Sequence, residues 1–389
     1  MKLMGNNKIS LTNVMIIYLC AVYTSFIRFV IGGSVIVAQQ AAWLSIVASL
    51  IVFAPLVYIL NRLLRAFEGQ PLYSIMQRVF GRAVAAIVGT LLSVWLFILL
   101  SMYIKYSGET LVTTVYVGTD IRLLLFVMVA LTAVMLRAGL PVFSRMNTVI
   151  FAVSVAQFLL IITLLFIDFN PNNVTPITAS DAVPIGQSTV YPLTIEVYIV
   201  FILIFNDQIR LPKKSGLRFF LTFAFQTVAI GLLTAAVLGI FGASLTSKLK
   251  FPVHSAVENI SILGGNTGVE SLFISFWVIL EFVLITLMAY LVVRMLRAIF
   301  GLKRDVPLLT AVMGFAYFFS IYFCADVFQL ILFSQYVEPW FNIGFGFGIP
   351  VALFFTAKAR KLLPPAPMRA RKPKRTQPVP QPDTGGTAL

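Results

Sequence analysis

A chain of 389 residues that is 59% hydrophobic and only 11% charged lacks the polar surface of a soluble domain, which carries about 25% charged residues, and reads as an integral membrane protein. A formal charge of +15 invites a nucleic-acid partner, but the basic residues alternate from loop to loop as membrane sidedness requires, so nucleic acid is set aside. One His and two Cys, with Cys20 and Cys324 both inside apolar runs, support neither a zinc site nor a disulfide framework, and no metal or cofactor is expected.

Ten apolar runs of about 20 residues are expected to cross the bilayer as α-helices. Five are 11–31, 42–61, 83–104, 122–138 and 146–167; five more are 186–205, 219–241, 271–293, 307–327 and 339–357. The first run is longer than a signal-peptide core and has no small-x-small cleavage site, so it is expected to be retained. Between runs two and three, Gly69-Gln70-Pro71 makes a turn and Leu72–Phe80 reads as a short amphipathic helix. In the long loop 242–270, the stretch FPVHSAVENISILGG suggests a second short helix lying at the surface.

Lys and Arg fall on alternate loops. Lys2, Lys8, Arg62, Arg65, Arg78, Arg82, Arg137, Arg145, Arg210, Lys213, Lys214, Arg218, Arg294, Arg297, Lys303, Arg304 and eight residues from Lys358 to Arg375 share one side, 24 of the 29 basic residues. The other side has Lys105, Arg122, Lys248 and Lys250. By the positive-inside rule both termini are cytoplasmic, as an even helix count also requires. Residues 1–361 then form one transmembrane domain, and 362–389 a disordered basic, Pro-rich tail able to rest on anionic membrane lipid.

The most informative run is the sixth, GQSTVYPLTIEVYIVFILIF. Glu196 stands at its midpoint, where a carboxyl costs about 2.5–3.5 kcal/mol or more unless it faces protein, water or a ligand. Pro192, one turn earlier, removes a backbone donor, and irregular backbone at that depth is tolerated only against protein or a cavity. Ten spans with interruptions in the first and sixth suggest two inverted five-helix halves with a midplane site between them. In the first run Thr24 and Ser25 can bond freed carbonyls, Arg28 follows in the outer third, and Gly32-Gly33 lie near its end.

Glu281 is central in the eighth run. Glu196 and Glu281 are expected to compensate a substrate ammonium, carry protons or pair with Arg28, which otherwise snorkels to the headgroups; alternatively Glu281 is a protonated acid bonded to a carbonyl. Tyr103, Tyr191, Tyr198 and Trp277 are candidates for lining the pocket. Glu109 and Glu270 read as structural, as does Asp207 beside Arg210. No nucleotide loop, nucleophile elbow or His-Glu pair accompanies the two central acids, so an enzyme is not expected.

Several stretches then carry a resemblance running from about Ile9 to Lys361. Ile9-Ser10 precedes an apolar span and Ala42-Trp43-Leu44-Ser45; Leu140-Pro141 comes with Ser144-Arg145; Ile195-Glu196 precedes Arg210-Leu211-Pro212-Lys213-Lys214. Phe251-Pro252, Ile260-Ser261-Ile262, Val269-Glu270-Ser271-Leu272-Phe273 and Gly348-Ile349-Pro350 complete the set. Their order resembles the B subunit of GerA-type spore germinant receptors, the endospore germination permeases of the amino acid–polyamine–organocation superfamily. The resemblance implies an all-α fold with ten transmembrane helices in a LeuT-like 5+5 inverted repeat, with helices 1 and 6 irregular. It implies a subunit of the spore inner membrane that senses a small-molecule germinant beside receptor A and C subunits. It also implies ligand contact near Thr24, Ser25 and Glu196, with Thr194 where the superfamily carries a glycine. A proton-coupled amino acid or polyamine permease, or a conduit for water or ions, remains the alternative.

Overall fold

The computed structural model describes residues 8–262, 265, 266, 269–302 and 305–363. The basic tail from 364 onward lies outside the described residues. Among them eight helical runs are long and apolar enough to cross a membrane, which matches an all-helical integral membrane protein. The polarity is inverted relative to a soluble protein. Ile51, Ile87, Val134, Val149 and Phe315 are exposed, whereas Arg28, Glu196, Glu281, Glu338 and Asn342 are buried. Hydrocarbon, not water, is the solvent that such a surface suits.

The chain opens with β1 (Ile9–Ser10), and Ser10 caps α1 (Leu11–Ser25) by accepting from the Asn13 amide at 3.2 Å. Directly after Thr24-Ser25 the helix loosens into a π-helical turn, Phe26–Val30, and continues as α2 (Ile31–Ala38). A short 3₁₀ turn, Gln39–Ala41, leads into α3 (Ala42–Ala66). The irregularity expected in the first span therefore comes at Phe26–Val30, before Gly32-Gly33.

The short α4 (Leu72–Phe80) follows Pro71 over the expected residues, and Gly81, at φ 92°, separates it from α5 (Arg82–Thr114). α6 (Ile121–Ala138) is capped by Asp120, which accepts from the Arg122 amide at 2.9 Å. Gly139, at φ 90°, turns the chain sharply into α7 (Leu140–Leu165), six residues earlier than the expected start at 146. Pro141 falls in that first turn, where a missing N–H costs nothing.

The sixth span is the least regular. α8 (Ala182–Ser188) and α9 (Val190–Glu196) are followed by 3₁₀ winding over Val197–Gln208, kinked at Phe205, whose φ of −123° and ψ of 29° are not helical. Such tight winding rarely persists beyond three or four residues and marks hinges or strain. The span ends in β2 (Ile209–Arg210), which pairs in parallel with β1, Ile9 opposite Ile209, and so ties the ends of the first and sixth spans together.

α10 (Ser215–Thr246) leads to the expected short helix, α11 (Pro252–Glu258), and then to α12 (Val269–Phe300). The rest of the loop stretch is not helical: Ser261–Ile262 pairs antiparallel with Gly265–Asn266. α13 (Val306–Tyr322) has 17 residues, shorter than the run 307–327 expected from hydropathy. α14 (Val327–Tyr336) and α15 (Glu338–Ala359) form one 33-residue apolar run, so residues 328–338 are not a loop. Asp326 starts this helix by accepting from the Gln329 amide at 2.9 Å, and Pro339 is accommodated in the first turn of α15.

Candidate binding site

Glu196 ends α9 at the point where the winding tightens. Pro192 lies in the first turn of this short helix, where no helical donor is lost. The Glu196 side chain is 1% exposed and turned into protein. Its Oε1 accepts from Ser49 Oγ of α3 at 2.8 Å, and its Oε2 has no hydrogen-bond partner. Its main-chain oxygen accepts from the Tyr18 hydroxyl of α1 at 3.3 Å, so the first span catches a carbonyl at the change in winding. A buried carboxylate oxygen left unbonded costs about 1–3 kcal/mol or more. This oxygen is buried and unsatisfied.

Arg28 does not snorkel. It sits in the π-helical turn, buried, with Nη2 paired to Glu281 Oε1 of α12. The guanidinium lies 4.5 Å from the Tyr106 ring centre and 5.5 Å from that of Trp277, a cation–π cradle. Nη2 also reaches Thr110 Oγ1 at 3.5 Å, and Trp277 Nε1 donates to Glu281 Oε1 at 2.9 Å. Glu281 is thus an ion-pair partner, not a carboxyl bonded to a carbonyl. Arg28 Nε and Nη1 have no hydrogen-bond partner.

A third cluster was not visible in the sequence. Glu338, fully buried at the start of α15, accepts from Tyr198 OH at 2.7 Å, Tyr103 OH at 3.0 Å and Asn342 Nδ2 at 3.1 Å through one oxygen. The two tyrosine hydroxyls lie 2.6 Å apart. Asn342 Nδ2 also reaches the Thr194 carbonyl at 3.2 Å, while Asn342 Oδ1 accepts from Trp95 at 2.9 Å. α15 comes this close because a side chain at Gly346 would collide with Val197. Glu338 was missed because 328–338 read as a loop. The signal was present in Asp326, a helix cap, followed by the apolar stretch VFQLILF.

The predicted residues therefore divide. Tyr103 and Tyr198 meet at Glu338; Arg28, Glu281 and Trp277 meet at the π-helical turn; Glu196 is held by Ser49, with partners separate from those of Glu281. Thr194 directs its hydroxyl to the Val190 carbonyl at 2.7 Å and offers only its own carbonyl to the cluster. Thr24 and Ser25 are fully buried, and neither hydroxyl has a partner at hydrogen-bond distance. Tyr191 lies against Gly33, outside all three clusters. Asp207 pairs with Arg294 of α12 at 2.5 Å rather than with Arg210, and Glu109 has the structural partner expected of it, Lys105 at 3.5 Å.

Two cavities lie between these helices, and the smaller one touches cluster residues. One of about 50 Å³ is lined by Tyr23, Phe26, Gln226 and Leu280 with apolar neighbours from α7 and α10. The other, about 10 Å³, lies against Tyr18, Tyr198 and Phe201 and has room for about one water.

The sequence is similar to those of known proteins. A model of the spore germination protein family matches residues 9–327. Spore germination protein A2 of Bacillus subtilis (strain 168) is 20% identical over 321 residues, covering 82% of this chain and 87% of that protein. Spore germination protein KB of the same organism is 20% identical over 254 residues, 62% of this chain and 67% of its own length. With most of its length matched by the family model, and helices of the length and apolarity that a bilayer requires, the chain belongs to the spore germination protein family.

Proposed function

We propose that this protein is the membrane subunit of a spore germinant receptor, and that it binds a small polar germinant near the middle of the membrane between the first, third, sixth and eighth spans. The observation that carries the reading is the change in winding at Glu196, where a buried carboxylate keeps one oxygen unbonded beside the first span. An amino or hydroxyl group of a ligand would satisfy that oxygen, and the unbonded Thr24 and Ser25 hydroxyls would supply further contacts.

On this reading the chain crosses the membrane ten times. Residues 11–66 count as two crossings and the 17-residue α13 as one. The two five-helix halves are inverted relative to each other, and the first helix of each half is interrupted, at Phe26–Val30 and after Glu196. Both termini are cytoplasmic, and A and C receptor subunits receive the signal. Ligand binding would bias the relative position of the interrupted helices, and that bias rather than net flux would be the output.

A proton-coupled permease is the second reading. It is favoured by one observation: the partner of Glu196 is the neutral Ser49 hydroxyl, so no cation holds its charge. A germination screen of a deletion strain against small metabolites, with uptake of the active metabolite into proteoliposomes, separates the two. The receptor reading expects loss of one germinant response and no accumulation driven by a pH gradient. Accumulation without any germination defect would overturn it.

A further inference from the structure

The single histidine of the chain lies on α11, between the seventh and eighth spans, and takes no part in the three clusters. His254 and Glu258 are four residues apart and share a face of the helix, with Nε2 3.6 Å from Glu258 Oε1. The imidazole is 6% exposed, packed flat against Phe273 with ring centres 6.3 Å apart, and its Nδ1 has no hydrogen-bond partner. Glu270 projects from the first turn of α12. One ligand atom from each of His254, Glu258 and Glu270 lies within 4.8 Å of the others.

Nε2 is the nitrogen set against Glu258, and a buried imidazole edge facing two carboxylates favours a cation between them. We propose that His254, Glu258 and Glu270 form a site for a divalent transition-metal ion of the Zn²⁺ type, clamping α11 to the first turn of α12. One imidazole nitrogen and two carboxylate oxygens suit such an ion, whereas Ca²⁺ and Mg²⁺ take oxygen ligands. Zn²⁺ holds nitrogen and oxygen ligands at about 2.0–2.2 Å, so the three atoms must close to about 3–3.5 Å of one another. Glu258, with a half-exposed side chain, is free to make that movement. Three protein ligands leave a fourth position for water, which marks an exchangeable site rather than a closed structural one.

The clamp would act on the roof of the Arg28 cluster. α11 packs against the π-helical turn, and the Pro252 ring lies 3.9 Å from where a side chain at Gly32 would begin. Phe251 and Phe273 both contact Trp277, with ring centres 6.0 and 5.4 Å away, and Trp277 bonds Glu281. Fixing α11 on α12 would therefore restrain the pair that holds the first span to the eighth.

The test is calorimetric titration of the purified full chain in detergent with Zn²⁺, with Mg²⁺ as control, alongside thermal unfolding with and without Zn²⁺. Wild type is expected to bind one Zn²⁺ saturably and to gain thermal stability from it. His254→Ala and Glu270→Gln are each expected to weaken binding by about tenfold or more. Glu258→Gln, at a half-exposed position, decides the matter if the His254 variant does not fold, since its unfolding without metal should match wild type. No saturable Zn²⁺ binding by wild type, or wild-type affinity in Glu258→Gln, would overturn the proposal. Metal binding is read directly and stands or falls apart from the germinant reading.

Discussion

Glu196 and Glu338 are the same residue, equally buried, in opposite conditions. Glu338 collects three donors from three spans, Tyr103, Tyr198 and Asn342, and joins them into one network. Glu196 has a single side-chain partner, Ser49, and stands where regular helix gives way to a tighter coil. A carboxylate with several donors holds its neighbours in place, because moving any of them strands a buried polar group. Each carboxylate has one oxygen without a partner, but Glu338 is fixed by three donors on the other, whereas Glu196, with Ser49 alone, can turn to a new partner without breaking a network. We read the first as a fastening and the second as a socket.

The Arg28–Glu281 pair is the strongest fastening and gives the largest effect. Arg28→Met leaves Glu281 buried without its cation and should cost about 3–5 kcal/mol in thermal unfolding of the purified protein. Adding Glu281→Leu to that variant should recover most of the loss, because an apolar pair needs no compensation. If the single and double variants unfold alike, the pair is not the element holding the first span to the eighth.

Removing the Glu338 network comes next. Glu338→Ala withdraws the acceptor from three donors and should cost about 2–3 kcal/mol, with Glu338→Gln costing less because it keeps an acceptor oxygen. Equal losses would mean that packing, not hydrogen bonding, fixes α15. Gly346→Ala tests the close approach on which that network depends. Its methyl group would strike Val197, so an overpacking cost of about 1–3 kcal/mol is expected, relieved by Val197→Ala in the same chain.

Glu196→Gln is expected to change stability least, by less than about 1 kcal/mol, since the amide keeps an oxygen for Ser49. The germination response should nevertheless be abolished or strongly shifted at unchanged protein level. A normal response would make Glu196 a second fastening and remove the contrast with Glu338.

The membrane class, most of the helices and a carboxyl buried in the sixth run were legible in the sequence. Apolar length is a local property, and a carboxylate in the middle of such a run is conspicuous wherever the helix packs. Leu72–Phe80 was legible for the same reason: a proline turn and an amphipathic period specify a short helix without outside help. The interruption of the first span was legible in kind but not in place, because backbone winding at Phe26–Val30 accompanies an ion pair made 253 residues further along the chain, at Glu281.

What the tertiary structure alone decided is the pairing. Tyr103 meets Glu338 across 235 residues of sequence, and nothing local to either names the other. Glu338 itself was hidden because it falls between the expected runs 307–327 and 339–357, a gap that α14 and the start of α15 fill. Composition by itself determined the solvent this chain lives in, because bilayer thickness and the cost of bare backbone act on every stretch independently. The partner of each buried charge was decided only when the helices came together, because that choice depends on which faces meet.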